Sequence, residues 1–301
     1  MKAVRLHAYG GVDQLRYEDV PPPEPEPDEV LVKVAATSVN PIDWKIRSGA
    51  AKSIMPVKFP AILARDVAGT IVKAGVNVRN PEPGQKVMGL VNGSYAEYLT
   101  ARADHLTVIP DGLELEQAAA LPLVATTGAQ LMRHIRPKPG DLVLVTGALG
   151  NVGRSAVYVA KSEGARVIAG VKTEQKKEAN SLGVDQVIGI DDSKEIAELP
   201  ELDAIADTVD HDVIGKLIPK LKSGGVLGSV LGAPKEAEGK NIRVEAFMAT
   251  PDASLLRKMA DAVRDGQLVI PIARRMRLSE AGEAQALAEK GSLRGKILLI
   301  P

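Results

Sequence analysis

From Asp141 onward the chain alternates short apolar runs with segments whose apolar residues recur at helical spacing. The runs are Leu142–Val145, Arg166–Val171, Gln186–Ile190, Ala204–Val209 and Val226–Leu231, and the intervening helices are Val152–Ser162, Glu174–Leu182 and Asp212–Leu221, with a further helix at Ala253–Asp265. Alternation of this kind predicts a parallel sheet covered by helices on both faces, because each strand must cross over before it pairs again. The first run ends in Val145-Thr146-Gly147-Ala148-Leu149-Gly150-Asn151-Val152-Gly153. In that strand–turn–helix setting Gly147 permits the tight turn, Gly150 lets backbone approach a pyrophosphate, and Gly153 allows helix and strand to pack closely. Gly147, Ala148, Gly150, Asn151, Val152 and Gly153 are therefore the expected dinucleotide cradle.

The tip of the second strand separates the two nicotinamide dinucleotides. An acidic side chain there binds the ribose 2′-hydroxyl and repels a 2′-phosphate. This chain reads Gly170-Val171-Lys172-Thr173-Glu174-Gln175-Lys176-Lys177, with no acid at the tip and lysines beyond it. Lys172 and Lys176 suit a phosphate as point charges, although Glu174 offsets part of their field. NADPH is the expected cofactor. Leu231, Gly232 and Ala233 follow a later strand, where loops line the ligand crevice, and their backbone groups suit the carboxamide.

The first third is different in kind. Met1–Leu6, Val30–Ser38, Ala68–Ala74, Lys86–Val91, Ala96–Thr100 and Leu106–Ile109 alternate as strands, separated by glycine and proline. Residues 21–29, PPPEPEPDE, form a stiff connector, since proline donates no ladder hydrogen bond. Leu113–Met132 reads as a helix, and Leu268–Ile272 and Lys296–Ile300 as strands that rejoin the first domain. Lysine plus arginine and aspartate plus glutamate each total 38, a balance unlike that of proteins that coat nucleic acid or anionic lipid. There is no cysteine, so disulfides, thiolate catalysis and Cys-ligated zinc are excluded. No apolar run suits a bilayer span and the first residues lack a signal-peptide core, so a cytoplasmic location is expected.

At this point the chain resembles the zinc-independent quinone oxidoreductase and alkenal/enone reductase branch of the medium-chain dehydrogenase/reductases. The residues that carry the resemblance are Ser38-Val39-Asn40-Pro41-Ile42-Asp43-Trp44-Lys45, Asp66-Val67-Ala68-Gly69, Pro83-Gly84-Gln85-Lys86-Val87, Gly93-Ser94-Tyr95-Ala96-Glu97-Tyr98, Leu121-Pro122, Thr126-Thr127-Gly128-Ala129, the glycine loop, Asp207-Thr208-Val209 and Gly295-Lys296-Ile297. The resemblance implies an α/β protein: a GroES-like, β-rich catalytic domain over residues 1–121 with 267–301 returning to it, and a Rossmann domain over 122–266. It also implies a cleft between them and a homodimer joined through Ile242–Phe247. The zinc enzymes of the superfamily carry Gly-His-Glu where this chain has Ala64-Arg65-Asp66, and the four histidines, His7, His105, His134 and His211, are scattered. No metal site is expected.

Without a Lewis acid, a conjugated carbonyl or quinone is the easier hydride acceptor, because its charge delocalises onto oxygen. By resemblance Lys45 and Asn40 are the leading catalytic candidates, with Lys45 beside the nicotinamide ribose, and Thr127 contacts the cofactor. Tyr95 lies either over the substrate or in the sheet, and Trp44 either walls the pocket or fills the core. Phe247-Met248 serves the pocket or the dimer edge, and Arg294 reaches the cofactor or faces solvent. Asp43 is expected to cap a helical turn, and Asp66 to be structural. The leading reading is an NADPH-dependent reductase of enones and enals. Quinone reduction is the near alternative, and a non-catalytic NADPH-binding sensor or structural protein is the alternative of another class.

Overall fold

A computed structural model describes residues 1–209, 211–291 and 293–301, and it divides into two units: residues 1–123 with 251–301, and residues 124–250.

In the first unit β1 (Lys2–Leu6), β2 (Leu15–Asp19), β3 (Glu29–Ser38), α1 (Pro41–Ser48), β4 (Ala61–Ile62), β5 (Asp66–Ala74), β6 (Lys86–Leu90), β7 (Tyr98–Arg102), β8 (Leu106–Val108) and α2 (Leu115–Ala119) follow in order. Residues 21–28 form no regular element, as their prolines require. The expected single helix over 113–132 is two, α2 and α3 (Pro122–Ile135). Proline at the first position of α3 favours starting a helix and disfavours helical backbone at Leu121 before it.

The second unit continues with β9 (Leu142–Thr146), α4 (Asn151–Ser162), β10 (Arg166–Val171), α5 (Lys176–Ala179), β11 (Gln186–Gly189), α6 (Ser193–Glu198), β12 (Leu202–Asp207), α7 (His211–Leu217), β13 (Leu221–Ser229) and β14 (Arg243–Ala246). Among the described residues these strands form one parallel sheet in the order β11-β10-β9-β12-β13-β14. Successive strands step outward from β9 in one direction, then from β12 in the other. The reversal opens a crevice at the carboxyl ends of β9 and β12, and the glycine loop sits there. The expected helix over 174–182 is a short α5 between two 3-10 turns.

The chain returns with α8 (Ala253–Arg264), β15 (Ile272–Arg277), α9 (Ala281–Glu289) and β16 (Lys296–Ile300). The return falls at residue 251, ahead of the expected 267, because α8 packs on β8 and Arg257 donates to the Val108 carbonyl at 3.4 Å. The late strand also begins at Ile272 instead of ending there. Among the described residues the larger sheet of this unit runs β15-β16-β3-β5-β6-β8, with β7 also on β3.

Two cores lie on the two faces of the parallel sheet, one built on Val143, Val145, Val167 and Ala156, the other on Leu144, Ile168, Ile205 and Leu227. This is the alternation along β9 and β10 made physical, with neighbouring residues facing opposite sides. Gly153 lets α4 start against the strand: a Cβ there would stand 2.2 Å from the Gly147 carbonyl oxygen and 2.8 Å from Ala148 Cα. Both obstacles are backbone. Gly153→Ala is expected to lower stability by about 1–3 kcal/mol, measured by urea unfolding; an unchanged midpoint would show the close approach to be incidental.

Candidate active site and cofactor cradle

Strand register assembles the centre of the first unit. Leu298 of β16 pairs with Ser38 of β3, and Leu299 with Thr37. The next residues along that register bring Lys296 beside Asn40, and the Val39 N–H donates to the Ile297 carbonyl at 2.9 Å. Strand β5 starts on the other side of β3, with Asp66 beside Ser38. Lys296, Asn40, Ser38 and Asp66 are all buried.

Their polar atoms satisfy one another. Lys296 Nζ donates to Asn40 Oδ1 at 2.5 Å and to Asp66 Oδ2 at 3.2 Å. Asn40 Nδ2 donates to Asp66 Oδ2 at 2.6 Å, and Ser38 Oγ donates to the same oxygen. Asp66 Oδ1 accepts from the Leu123 N–H at 2.7 Å. Four donors fill the acceptor capacity of one carboxylate. A buried ion pair of this kind holds its place because its remaining lone pairs are satisfied, and removing one member would strand the other charge. Asp66 is structural, as expected. The sequence signal for Lys296 is a lysine at the head of an otherwise apolar strand, which by itself assigns it no role.

Helix α1 grows from this cluster. Asn40 stands at its N-cap, and Asp43 Oδ2 accepts the Asn40 N–H at 2.8 Å, so Asp43 caps the helix as expected. Tyr95 donates its hydroxyl to the same oxygen at 3.2 Å. Two expectations change here. Tyr95 is fully buried in the core with its hydroxyl on Asp43, so it does not lie over a substrate. Burial, with Asp43 beside it, pushes the phenol well above its usual pKa, keeping it neutral. Asn40 is also fully buried, and both ends of its amide are occupied, so it positions the helix instead of contacting substrate. Lys45 is exposed on α1, and its ammonium makes no hydrogen bond or ion pair among the described residues. Trp44 packs partly buried against the core around Ile46 and Leu63.

Arg65 lies between these elements, in the Ala64-Arg65-Asp66 segment that stands where the zinc enzymes carry Gly-His-Glu. Ala64 before it has φ +76°, a left-handed conformation that a residue with a Cβ rarely adopts. The carbonyls of Leu63, Ala64 and Arg65 accept from the N–H groups of Tyr95, Gly93 and Val91 at 3.1, 2.9 and 2.8 Å, which holds the strained segment in place. The Arg65 guanidinium is half-buried, its Nε is sealed from solvent, and it has no hydrogen-bond or ion-pair partner among the described residues.

In the second unit the glycine loop is a cradle. Gly147 has φ +61°, and a Cβ there would stand 2.4 Å from Val209 Cγ1. The first α-helical bond of α4 runs from the Arg154 N–H to the Gly150 carbonyl, at 2.8 Å, so the N–H groups of Asn151, Val152 and Gly153 remain for an anion. These groups fit a pyrophosphate. Beneath the loop, buried Asp207 accepts from Thr146 Oγ1 at 3.1 Å and Ser229 Oγ at 2.8 Å, and Ser229 Oγ accepts the Leu231 N–H at 3.1 Å. One carboxylate thus ties the glycine loop to Leu231-Gly232-Ala233, where Gly232 has φ +109°. Nearly buried Thr127 lies on α3. Lys172 is exposed at the tip of β10. Lys176 is not available there: its ammonium is held by both oxygens of Glu195, at 2.6 and 2.8 Å. Arg294 is exposed ahead of β16. Among the described residues there is no cluster of three metal-ligating side chains, and no helix is long and apolar enough to cross a membrane.

Residues 26–111 match the alcohol dehydrogenase GroES-like domain, and residues 182–299 the zinc-binding dehydrogenase family. The chain is 30% identical to the chloroplast envelope quinone oxidoreductase homolog of Arabidopsis thaliana, over 100% of its own length and 98% of the relative's. It is also 30% identical to an NADPH-dependent alkenal/one oxidoreductase, chloroplastic, of the same plant, covering 100% of this chain and 80% of that one. The quinone oxidoreductase structure from Coxiella burnetii superposes with a TM-score of 0.91 at 31% identity, over 100% and 99% of the two chains.

Burial, opposed by the Asn40 N–H, raises Asp43 from 3.8 to about 7. The native state then holds a proton that the unfolded chain has already released between those values, so this group makes stability fall as pH rises from about 4 to 7. Asp43→Asn keeps an oxygen for the Asn40 N–H and the Tyr95 hydroxyl. The variant's stability relative to the native protein is expected to grow by about 2–3 kcal/mol between pH 5 and 8. Urea unfolding at several pH values measures it, and a constant difference would show that Asp43 is ionised throughout.

Proposed function

The chain belongs to the quinone oxidoreductase branch of the medium-chain dehydrogenase/reductase superfamily, and from that premise we propose that it is an NADPH-dependent, metal-independent reductase of conjugated carbonyl compounds, enones and enals above all. It is an oxidoreductase of a nicotinamide-using family. The observation that carries the choice of NADPH is the tip of β10, where Val171 is buried and exposed Lys172 follows with no acid in the ribose-binding position. Asp191 approaches that tip, its Oδ1 accepting the N–H and hydroxyl of Thr173 at 2.8 and 2.7 Å, and its negative charge, like that of Glu174, offsets part of the field of Lys172. The preference for an activated C=C bond rests on Asn40-Pro41-Ile42-Asp43-Trp44-Lys45, and the name of the alkenal/one oxidoreductase relative agrees with it.

When bound, NADPH supplies a hydride to the β-carbon of the acceptor. The protein's part is positional and electrostatic. The N–H groups at the start of α4 hold the pyrophosphate, Lys172 meets the 2′-phosphate, and Thr127 and Leu231-Gly232-Ala233 fix the nicotinamide end. Lys45 is the exposed donor of α1, held in orientation by the Asn40 cap, and it grips the ribose or delivers a proton to the enolate. Quinone reduction remains the second reading, favoured by the likeness to quinone oxidoreductases.

NADPH consumption with a panel of enones, enals and quinones tests this directly. Turnover is expected on enones after exhaustive chelation, with NADPH binding more tightly than NADH. Lys172→Ala should narrow that gap, while Lys176→Ala should leave it unchanged. Lys45→Ala is expected to lower turnover about 10²–10³-fold if it serves the enolate, or to weaken NADPH binding with turnover retained at saturation if it serves the ribose. Equal affinities for the two cofactors, or a silent panel, would refute the reading.

We also propose a homodimer joined through β14. The strand pairs only with β13 among the described residues, and an unpaired edge is a liability that a two-fold partner removes. Arg243 anchors the strand by donating to the His134 and Ile135 carbonyls at 3.2 and 2.9 Å. Light scattering is expected to give twice the chain mass, and a monomer at working concentration would refute it.

A further inference from the structure

We propose that Arg65 is the group that binds the acceptor's carbonyl oxygen and carries the charge that develops there on reduction. The inference rests on the reductase reading above and names its oxyanion donor.

An enolate oxygen needs a donor placed in advance, and the first unit has few. Tyr95 has given its hydroxyl to Asp43, and Asn40 is locked at both ends of its amide. The ammonium of Lys296 is enclosed between Asn40 and Asp66. Lys45 is uncommitted but exposed, and Arg65 alone among the donors withdrawn from solvent in this neighbourhood keeps a donor surface uncommitted. Its fork of N–H groups has no partner, yet its Nε is already out of water. For Nε that is an expensive state, since desolvation is incurred and no hydrogen bond returned, while the half-buried terminal nitrogens are open to an acceptor.

Asp66 and Asp43 favour the cation through their fields, but neither accepts a hydrogen bond from it. Asp66, the adjacent residue, is saturated by Ser38, Asn40, Lys296 and Leu123. Asp43 uses Oδ2 for Asn40 and Tyr95, and its Oδ1, also without a partner, lies beyond hydrogen-bond reach of Arg65. Asp66 and Lys296 cancel, and burial of Asp43 favours its neutral form. Arg65 is left as a cation near these carboxylates whose guanidinium has no acceptor among the described residues. The backbone beneath it is clamped at three successive carbonyls and strained at Ala64, the pattern of a side chain held for a ligand. A planar guanidinium donates to a carbonyl oxygen as it gains charge and needs no proton transfer. The hydride pair enters the C=C bond at the β-carbon, the π electrons move onto oxygen, and the α-carbon takes its proton from Lys45 or water.

The test compares Arg65→Met and Arg65→Lys with the native protein by kcat/KM on an enone and a quinone, NADPH affinity by fluorescence, and melting temperature without cofactor. Arg65→Met is expected to lower kcat/KM about 10²–10³-fold with NADPH affinity unchanged and a melting temperature equal to or above that of the native protein. Arg65→Lys, which keeps the charge and loses the fork, falls between. An active native enzyme with an equally active Arg65→Met overturns this inference alone, as does a fall in melting temperature together with NADPH affinity. A native protein inert to both acceptors overturns the reductase reading, and this inference with it.

Discussion

One buried carboxylate organises the catalytic unit. Asp66 collects donors from β3, from the N-cap of α1, from the last strand and from the start of α3. An isolated charge at that depth would be untenable, so its four partners must be present together, and each is fixed by the others. The orientation of α1, and with it Lys45, follows from that mutual constraint. So does the course of the preceding segment that presents Arg65. The network therefore acts as a registry device: a one-residue slip of β16 against β3 would turn Lys296 to the opposite face and leave Asp66 charged without a counter-ion.

The second unit uses the same device more lightly. Asp207 sits under the crevice where the sheet reverses, tied by hydroxyls of Thr146 and Ser229. Asp207 also accepts the Val209 N–H at 3.4 Å, so this carboxylate joins the ends of β9, β12 and β13 beneath the glycine loop.

Much of this was legible in the sequence. The apolar runs and the glycine spacing specify the parallel sheet and its cradle, because periodicity and the demand for φ > 0 are local properties. Alternating residues broken by glycine and proline mark the β-rich first third, and resemblance supplied its GroES-like identity. The capping role of Asp43 could be read from its position three residues after Asn40. What escaped the sequence was long-range. That Lys176 belongs to Glu195 depends on how a loop folds over 19 residues. Tyr95 follows a glycine-rich turn, which leaves both a place over the substrate and one in the sheet open, and only the hydrogen bond to Asp43, 52 residues away, decides between them. Lys296 and Asp66 are 230 residues apart, a separation at which no pattern of spacing speaks. Arg65 was hidden for the opposite reason: its significance lies in partners it lacks.

The same separation orders events in time. A chain leaves the ribosome from its N-terminus, and Lys296 emerges only after the whole of residues 124–250. Until then the carboxylate of Asp66 has no ammonium to meet, and the core around α1 cannot close in its final form. Residues 124–250 have no such dependence, and their parallel sheet is complete while the tail is still being made. The second unit is thus free to mature first during synthesis, with the first unit partly assembled until Lys296 and its strand arrive.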